Sequence, residues 1–398
     1  MGHAEVRVID HHSFPEFARN LDRARASVTA EQRAAALEAS RVLAVVVTGL
    51  TDAEALLVAH GGAERGLTAV PLAPERKGEA ILAFIGPFAG FLGLADDLGG
   101  EGGSFPDLAR ELRGSVYRYR ETRFTVPLAG GGELALGERT LVMGILNVTP
   151  DSFSDGGDFL DADRAIEAAN RMIEAGADII DVGGESTRPG AAPVKPDEER
   201  ERVLPVIETL AMGVDVPISI DTRRGSVARD AILAGARMVN DVSGLGDPLT
   251  AAVAARAGAS VVVMHMRGTP EDMGTKTDYR DVMGEVMAEL GTRLERAREA
   301  GLPEEALLVD PGIGFSKTAD QSRELIRRLA EMRTLGRPIV AGPSRKSFLA
   351  TIRDVPPSER MNLTIGAVLA CVRGGAQIVR VHDVGPAVDA IRAFEGCS

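Results

Sequence analysis

Short apolar runs recur at regular intervals in the second part of the chain, each followed by a stretch long enough for a helix. The runs are Leu141–Asn147, Ile179–Val182, Pro217–Ile220, Met238–Asn240, Ser260–Met264, Leu307–Val309, Pro338–Ala341 and Ile378–Val381. Their apolarity is continuous rather than alternating, which marks strands covered on both faces and hence a parallel sheet. Eight strand–helix units in roughly 250 residues predict an α/β fold of the (β/α)8 TIM barrel kind. An open doubly wound sheet is the alternative, because closure of a sheet is not written in a sequence. Ahead of these units Phe124–Leu128 and Glu133–Leu136 flank Ala-Gly-Gly-Gly, which predicts an N-terminal β-hairpin with glycines free to take positive φ.

Residues 1–122 carry a different pattern. Thr29-Ala-Glu-Gln32 and Thr51-Asp-Ala-Glu54 are capping-box signatures ahead of Ala/Leu-rich helical runs, and the β-branched run Arg41–Thr48 between them reads as a buried strand. Gly99–Ser104 reads as a turn and Phe105–Arg113 as a short helix. His11, His12 and His60 have no neighbours at metal-ligand spacing and read as surface or capping residues. This part is expected to be a small α/β domain at 1–122 whose role its residues do not disclose, followed by a catalytic barrel at 123–398.

Composition narrows the function. With 58 Asp and Glu against 45 Lys and Arg, the 398-residue chain carries a net charge of −13, which argues against a nucleic-acid partner. The apolar stretch Ala80–Ala95 is interrupted by Gly86, Pro87, Gly90 and Gly93, so no membrane span is expected. The opening residues show no charged-then-apolar leader, and Cys371 and Cys397 make no disulfide framework or metal cluster. A cytoplasmic protein is the expectation.

Chemistry-bearing residues gather where the strands end, the place where barrels keep their active sites. In order these are Asn147, Asp181, Asp221, Asn240 with Asp241, His265, Asp310, Ser344-Arg345-Lys346, and Arg380 with His382. Any single Asp or Asn at such a position is as readily a helix cap, and for Asp181 and Asp241 that reading carries real weight. Three loops are richer: Asn147–Gly157, Gly183–Gly190 and Asp310–Lys317 combine glycines with hydroxyl, carboxylate and basic side chains. Glycine-rich strand-to-helix loops of this kind suit phosphate groups. An acidic protein that binds a polyanion needs local cations, and Arg188, Lys346, Arg380 and His382 stand at strand ends. Asn147 offers one oxygen for Mg2+, which typically takes one or two protein oxygens together with substrate phosphates.

Together LNVTPDSFSDGG at 146–157, DVGGESTRPG at 181–190, DPGIGF at 310–315, PSRKSF at 343–348 and RVHDV at 380–384 resemble dihydropteroate synthase in order and spacing. The resemblance spans about residues 124–398. It implies a (β/α)8 barrel that joins 6-hydroxymethyl-7,8-dihydropterin pyrophosphate to p-aminobenzoate and releases pyrophosphate. It also implies a pterin pocket of Asp221, Asn240, Met264, Asp310, Phe315, Gly342, Lys346 and Arg380. The implied pyrophosphate site uses Asn147 with Mg2+, Arg380, His382 and Thr187, and Asp155, Thr187, Arg188 and Ser347 are implied near p-aminobenzoate. A homodimer through barrel helices such as Met361–Arg373 and Val384–Phe394 is implied as well. Pterin-dependent corrinoid methyltransferases share the barrel, but the long first loop and the Ser-Arg-Lys motif are not expected in them. A non-catalytic pterin-binding protein is expected to have lost loop residues, and here none of the motif polar groups is missing. Two departures stand out: Ser316 occupies a position usually held by glycine, and the minimal members of the family have no counterpart of residues 1–122.

Overall fold

The computed structural model describes residues 5–9, 43–72, 79–100, 103–149, 158–186 and 193–397. The chain divides into two compact units, Met1–Glu121 with Ala330–Gly336, and Thr122–Leu329 with Arg337–Ser398.

The first unit holds a four-stranded antiparallel sheet of β1 (Glu5–Ile9), β2 (Leu43–Leu50), β3 (Thr68–Leu72) and β4 (Ala80–Gly86), in the order β1-β2-β4-β3. The apolar stretch beginning at Ala80 breaks at Pro87, which ends β4 and serves as N-cap of the helix Phe88–Gly99. Thr51 and Glu54 form the expected capping box at the start of the helix Asp52–Glu64, with Thr51 N donating to Glu54 Oε2 at 2.7 Å. The helix begun at Pro106 runs on to Arg120, well past Arg113. Leu108, Leu112, Val116 and Tyr119 recur at helical spacing and stay buried, so the packed face continues. Phe84, Phe91 and Leu94 are completely buried at the centre of this unit. Within it, Thr334 Oγ1 accepts from Val8 N at 3.2 Å and Thr334 O from Arg118 Nε at 2.8 Å. Thr29–Gln32, His11 and His12 lie outside the described residues.

The second unit opens with the hairpin β5 (Phe124–Pro127) and β6 (Glu133–Leu136), paired antiparallel. Eight parallel strands follow: β7 (Leu141–Asn147), β8 (Ile179–Gly183), β9 (Ile218–Asp221), β10 (Met238–Asp241), β11 (Ser260–Met264), β12 (Leu307–Asp310), β13 (Val340–Ala341) and β14 (Ile378–Val381). Their order is β12-β11-β10-β9-β8-β7-β14-β13. A bridge between Val309 and Ile339 joins the two end strands, and Val309 N donates to Pro338 O at 2.9 Å. A helix follows each strand, so the architecture is a (β/α)8 barrel.

Strand alternation explains how one barrel has a dry end and a polar end. Met143, Ile179, Met238, Val262, Leu308, Val340 and Ile378 form an apolar layer with Val126, Leu128 and Leu136 of the hairpin. Ala129 N donates to Arg237 O at 3.1 Å, just before β10, so the hairpin covers the end where the strands begin. Successive side chains point to opposite faces of a strand. The residues two positions beyond the apolar layer therefore face the same way, and they are Ile145, Asp181, Asn240, Met264, Asp310, Gly342 and Arg380.

Candidate active site

A pocket opens at the carboxyl ends of the strands, lined by Asn240, Val242, Met264, Asp310, Ile313, Phe315, Gly342, Lys346 and Arg380. Asp221 joins it through Arg380, whose Nη2 donates to Asp221 Oδ2 at 2.6 Å. The pterin residues implied by the sequence are thus brought together. The Nζ of Lys346 lies 3.7 Å from the centroid of the Phe315 ring, a cation–π arrangement that holds the amine over the pocket wall. Met264 and Phe315 pack with Val242, Met266 and Met273, so these two are core residues and pocket wall at once.

Burial dominates the electrostatics. It pushes the Asp221 carboxyl up to about 7 against the pull of Arg380, with Asp181 and Glu199 adding to the push. Burial and the nearby Arg380 charge bring the Lys346 amine down to about 7. The Asp310 carboxyl is also raised by burial, while its Oδ1 accepts from Gly312 N at 2.7 Å. Arg380 stays charged; the carboxylates of Asp181 and Asp221 outweigh its burial.

The loop after β12 differs from the phosphate cradle its composition predicts. Lys317 is buried and turned inward, donating to Phe315 O at 2.9 Å and lying 2.9 Å from His265 Nδ1. Burial pushes its amine well below the usual lysine range, so it is no surface cation for an anion. His265 is likewise committed, with Nε2 at 3.0 Å from Glu289 Oε2. Ser316 takes φ +47°, the left-handed conformation that glycine adopts freely. Its Oγ accepts from Arg267 N at 2.9 Å, which offsets part of that strain.

Two other strand-end groups serve the fold. Asp241 Oδ1 accepts from Ser243 N at 2.8 Å and Asp241 Oδ2 from Leu245 N at 3.0 Å, closing a turn. Arg345 pairs with Asp383, Nε to Oδ2 at 3.0 Å. Glu185 of the second loop is held by Arg223 Nε and Arg224 Nη1, each at 3.0 Å, and accepts from Val194 N at 3.0 Å. Asp181 stands among the strand-end groups of the sequence but is weighed there as a helix cap and left out of the pterin pocket. Its signal was register, two residues beyond the core residue Ile179.

On the anion side, Ser344 Oγ accepts from His382 N at 3.2 Å and lies 2.9 Å from His382 Nδ1. Donation from the serine hydroxyl to Nδ1 would leave Nε2–H as a donor for an anion. Burial, with Arg345 and Arg380 close by, pushes the His382 imidazole down to about 3. Asn147 ends β7 and Ser347 is exposed at the start of a short 3-10 helix. Asp155, Thr187 and Arg188 lie outside the described residues. Among the described residues no group of three His, Cys, Asp or Glu side chains could hold a metal. The single carboxamide of Asn147 would fit an ion shared with substrate phosphates.

Comparison with known proteins agrees with this geometry. The profile of the family "Pterin binding enzyme" matches residues 143–382. The dihydropteroate synthase of Synechocystis is 50% identical over 264 residues, 66% of this chain and 91% of that protein. The crystal structure of dihydropteroate synthase from Clostridium difficile in the presence of pteroic acid superposes with a TM-score of 0.63 at 45% identity, covering 66% of this chain and 98% of that one. The Burkholderia cenocepacia enzyme complexed with 7,8-dihydropteroate superposes with a TM-score of 0.62 at 41% identity, over 69% and 96% respectively. The matched share of these relatives is nearly their whole length, and the chain belongs to the dihydropteroate synthase family of pterin-binding enzymes.

Proposed function

We propose that this protein condenses 6-hydroxymethyl-7,8-dihydropterin pyrophosphate with p-aminobenzoate to give 7,8-dihydropteroate and pyrophosphate. The observation that carries the reading is one pocket in which a buried carboxyl (Asp310), an amide (Asn240), an amine (Lys346) and a guanidinium (Arg380) converge. The 2-amino and N3–H edge of a pterin is a paired donor that Asp310 can accept in bidentate fashion. Asn240 serves the other ring edge and Lys346 donates to a ring acceptor. The Burkholderia relative is a complex with the product of this reaction, which supports the substrate assignment.

The amino group of p-aminobenzoate is neutral near pH 7 and needs no strong base, so the difficult step is departure of pyrophosphate from the pterin methylene. Arg380 and the Nε2–H of His382 would take up the charge that develops on the leaving group, an effect often worth several kcal/mol of barrier. Magnesium, which Asn147 would help to hold, would neutralise further charge on the leaving group. Asp310 favours the positive charge that spreads into the ring as the bond breaks. Asp155, Thr187, Arg188 and Ser347 would position p-aminobenzoate for attack on the methylene. We read the active protein as a cytoplasmic homodimer; the support is family resemblance together with the helices Met361–Arg373 and Val384–Gly396. Among the described residues no helix is long and apolar enough to cross a membrane.

The test is pyrophosphate release on mixing the protein with both substrates and Mg2+, and its loss on chelation. Lys346→Ala and Asp310→Ala should each lower kcat/KM by about 100-fold or more, with the thermal midpoint retained. Normal turnover by either variant removes that residue from the site.

A further inference from the structure

We propose that Asp181 is a positioning residue of the pterin site, which sets the orientation of both Arg380 and Asn240; this rests on the pterin-binding reading above. Asp181 lies on β8, two residues beyond Ile179, whose side chain is in the barrel core. The carboxylate therefore faces the interior, and it is completely buried. Its Oδ2 accepts from Arg380 Nε at 2.6 Å and from Asn240 Nδ2 at 2.9 Å. Its Oδ1 has no hydrogen-bond partner among the described residues. The hydrogen bonds of Asp181 among the described residues thus go to two side chains that line the pocket.

The geometry does two things. The guanidinium of Arg380 is gripped at Nε by Asp181 and at Nη2 by Asp221, so two carboxylates on different strands fix its plane. Nη1 is left as a donor with no partner among the described residues. The second effect concerns the amide. An ionised carboxylate only accepts hydrogen bonds, so it forces the NH2 end of Asn240 toward itself and turns the carbonyl oxygen away. Asn240 then presents an acceptor to the ligand in every molecule, rather than a mixture of two amide orientations.

Stability does not explain the residue. A buried ion pair is often no better for folding than apolar side chains of similar size. The unpartnered Oδ1 adds a desolvation cost. Apolar side chains at both 181 and 380 would fill these buried strand positions as well. What an apolar residue cannot do is hold Arg380 and Asn240.

Asp181→Ala is the informative substitution, because it removes the single oxygen that holds both groups; Asp181→Asn can keep an oxygen in that place and put its NH2 where Oδ1 stands. We expect kcat/KM for the pterin pyrophosphate to fall about 30-fold in Asp181→Ala, since small misplacements at a reacting centre are costly. The KM for p-aminobenzoate should move less than about twofold, because the groups assigned to it are elsewhere. In an Arg380→Lys background, where the Nε donor is gone, Asp181→Ala should cost less than about threefold, since residues that act through one another are not additive. Asp181→Asn should cost less than Asp181→Ala. Each variant is assayed well below its own thermal midpoint. Wild-type turnover by Asp181→Ala, or an equal loss in both backgrounds, overturns the proposal. Affinity for 6-hydroxymethylpterin is measured in parallel by calorimetry. A wild type that binds this pterin without turning over refutes the synthase reading, yet its loss of affinity on Asp181→Ala still supports the positioning role.

Discussion

Gly312 and Ser316 show how closely the loop after β12 is specified. At Gly312, φ is +66° and an added Cβ would sit 1.9 Å from His265 O. Gly312→Ala is expected to cost about 2–4 kcal/mol and to abolish pterin binding, because Asp310 and Phe315 move with the loop; chemical denaturation and a pterin titration check both. Ser316→Gly should stay within about 1 kcal/mol of wild type, since relief of left-handed strain offsets the lost hydrogen bond to Arg267 N. His265 supplies a pH test. Burial and the neighbouring Lys317 push its imidazole down to about 3. A base with a depressed folded pKa contributes stability above its unfolded value near 6.5 and loses it as pH falls toward 3. The wild type should therefore lose its stability advantage over His265→Gln at about 1.4 kcal/mol per pH unit below roughly pH 6.5. A gap that stays constant from pH 7.5 to pH 5 would falsify the neutral buried imidazole. The pocket-lining residues were readable because motif and strand end coincide. Lys317 was not, because its sequence neighbours say nothing about which way a loop lysine turns.

At the level of elements, the eight apolar runs became the eight barrel strands because continuous apolarity demands cover on both faces. The hairpin between Phe124 and Leu136 was also readable, from three glycines that take positive φ at its turn. Its use was not. Only packing shows that Val126, Leu128 and Leu136 fill the end of the barrel opposite the pocket. Leu136→Ala should cost about 3 kcal/mol through the cavity it leaves, with kcat and both KM values unchanged at temperatures where the protein is folded. A selective loss of activity would show that the hairpin reaches the site. The helix Pro106–Arg120 outran its predicted end because its polar outer face hid a buried stripe from a reading of composition.

For the whole molecule, the charge of −13 meets a substrate that is itself an anion. The acidic surface repels it, and a few placed cations at the strand ends receive it. With Mg2+ held constant, raising the salt from about 20 to 150 mM should leave kcat/KM for the pterin pyrophosphate unchanged or raise it modestly, as screening weakens long-range repulsion. A steep fall would mean that a basic field steers the substrate. The division into units also exceeds what a linear reading offers. Ala330–Gly336, far along the chain, clusters with the first unit through contacts such as Thr334 with Val8 and Arg118. No local pattern encodes a partner more than two hundred residues away.

The sequence by itself determined the barrel, the ends of its strands and the identity of the pocket side chains. Each of these follows from periodicity and from motifs that are contiguous along the chain. Tertiary structure alone decided which strand-end groups converge. Asp241 and Arg345 were taken by local turns and ion pairs, and Lys317 and His265 were withdrawn into the interior. Asp181, 59 residues from Asn240 and 199 from Arg380 along the chain, was brought onto both. The physical reason is that a hydrogen bond depends on distances of a few ångströms, which a chain sets only when its strands close into a ring.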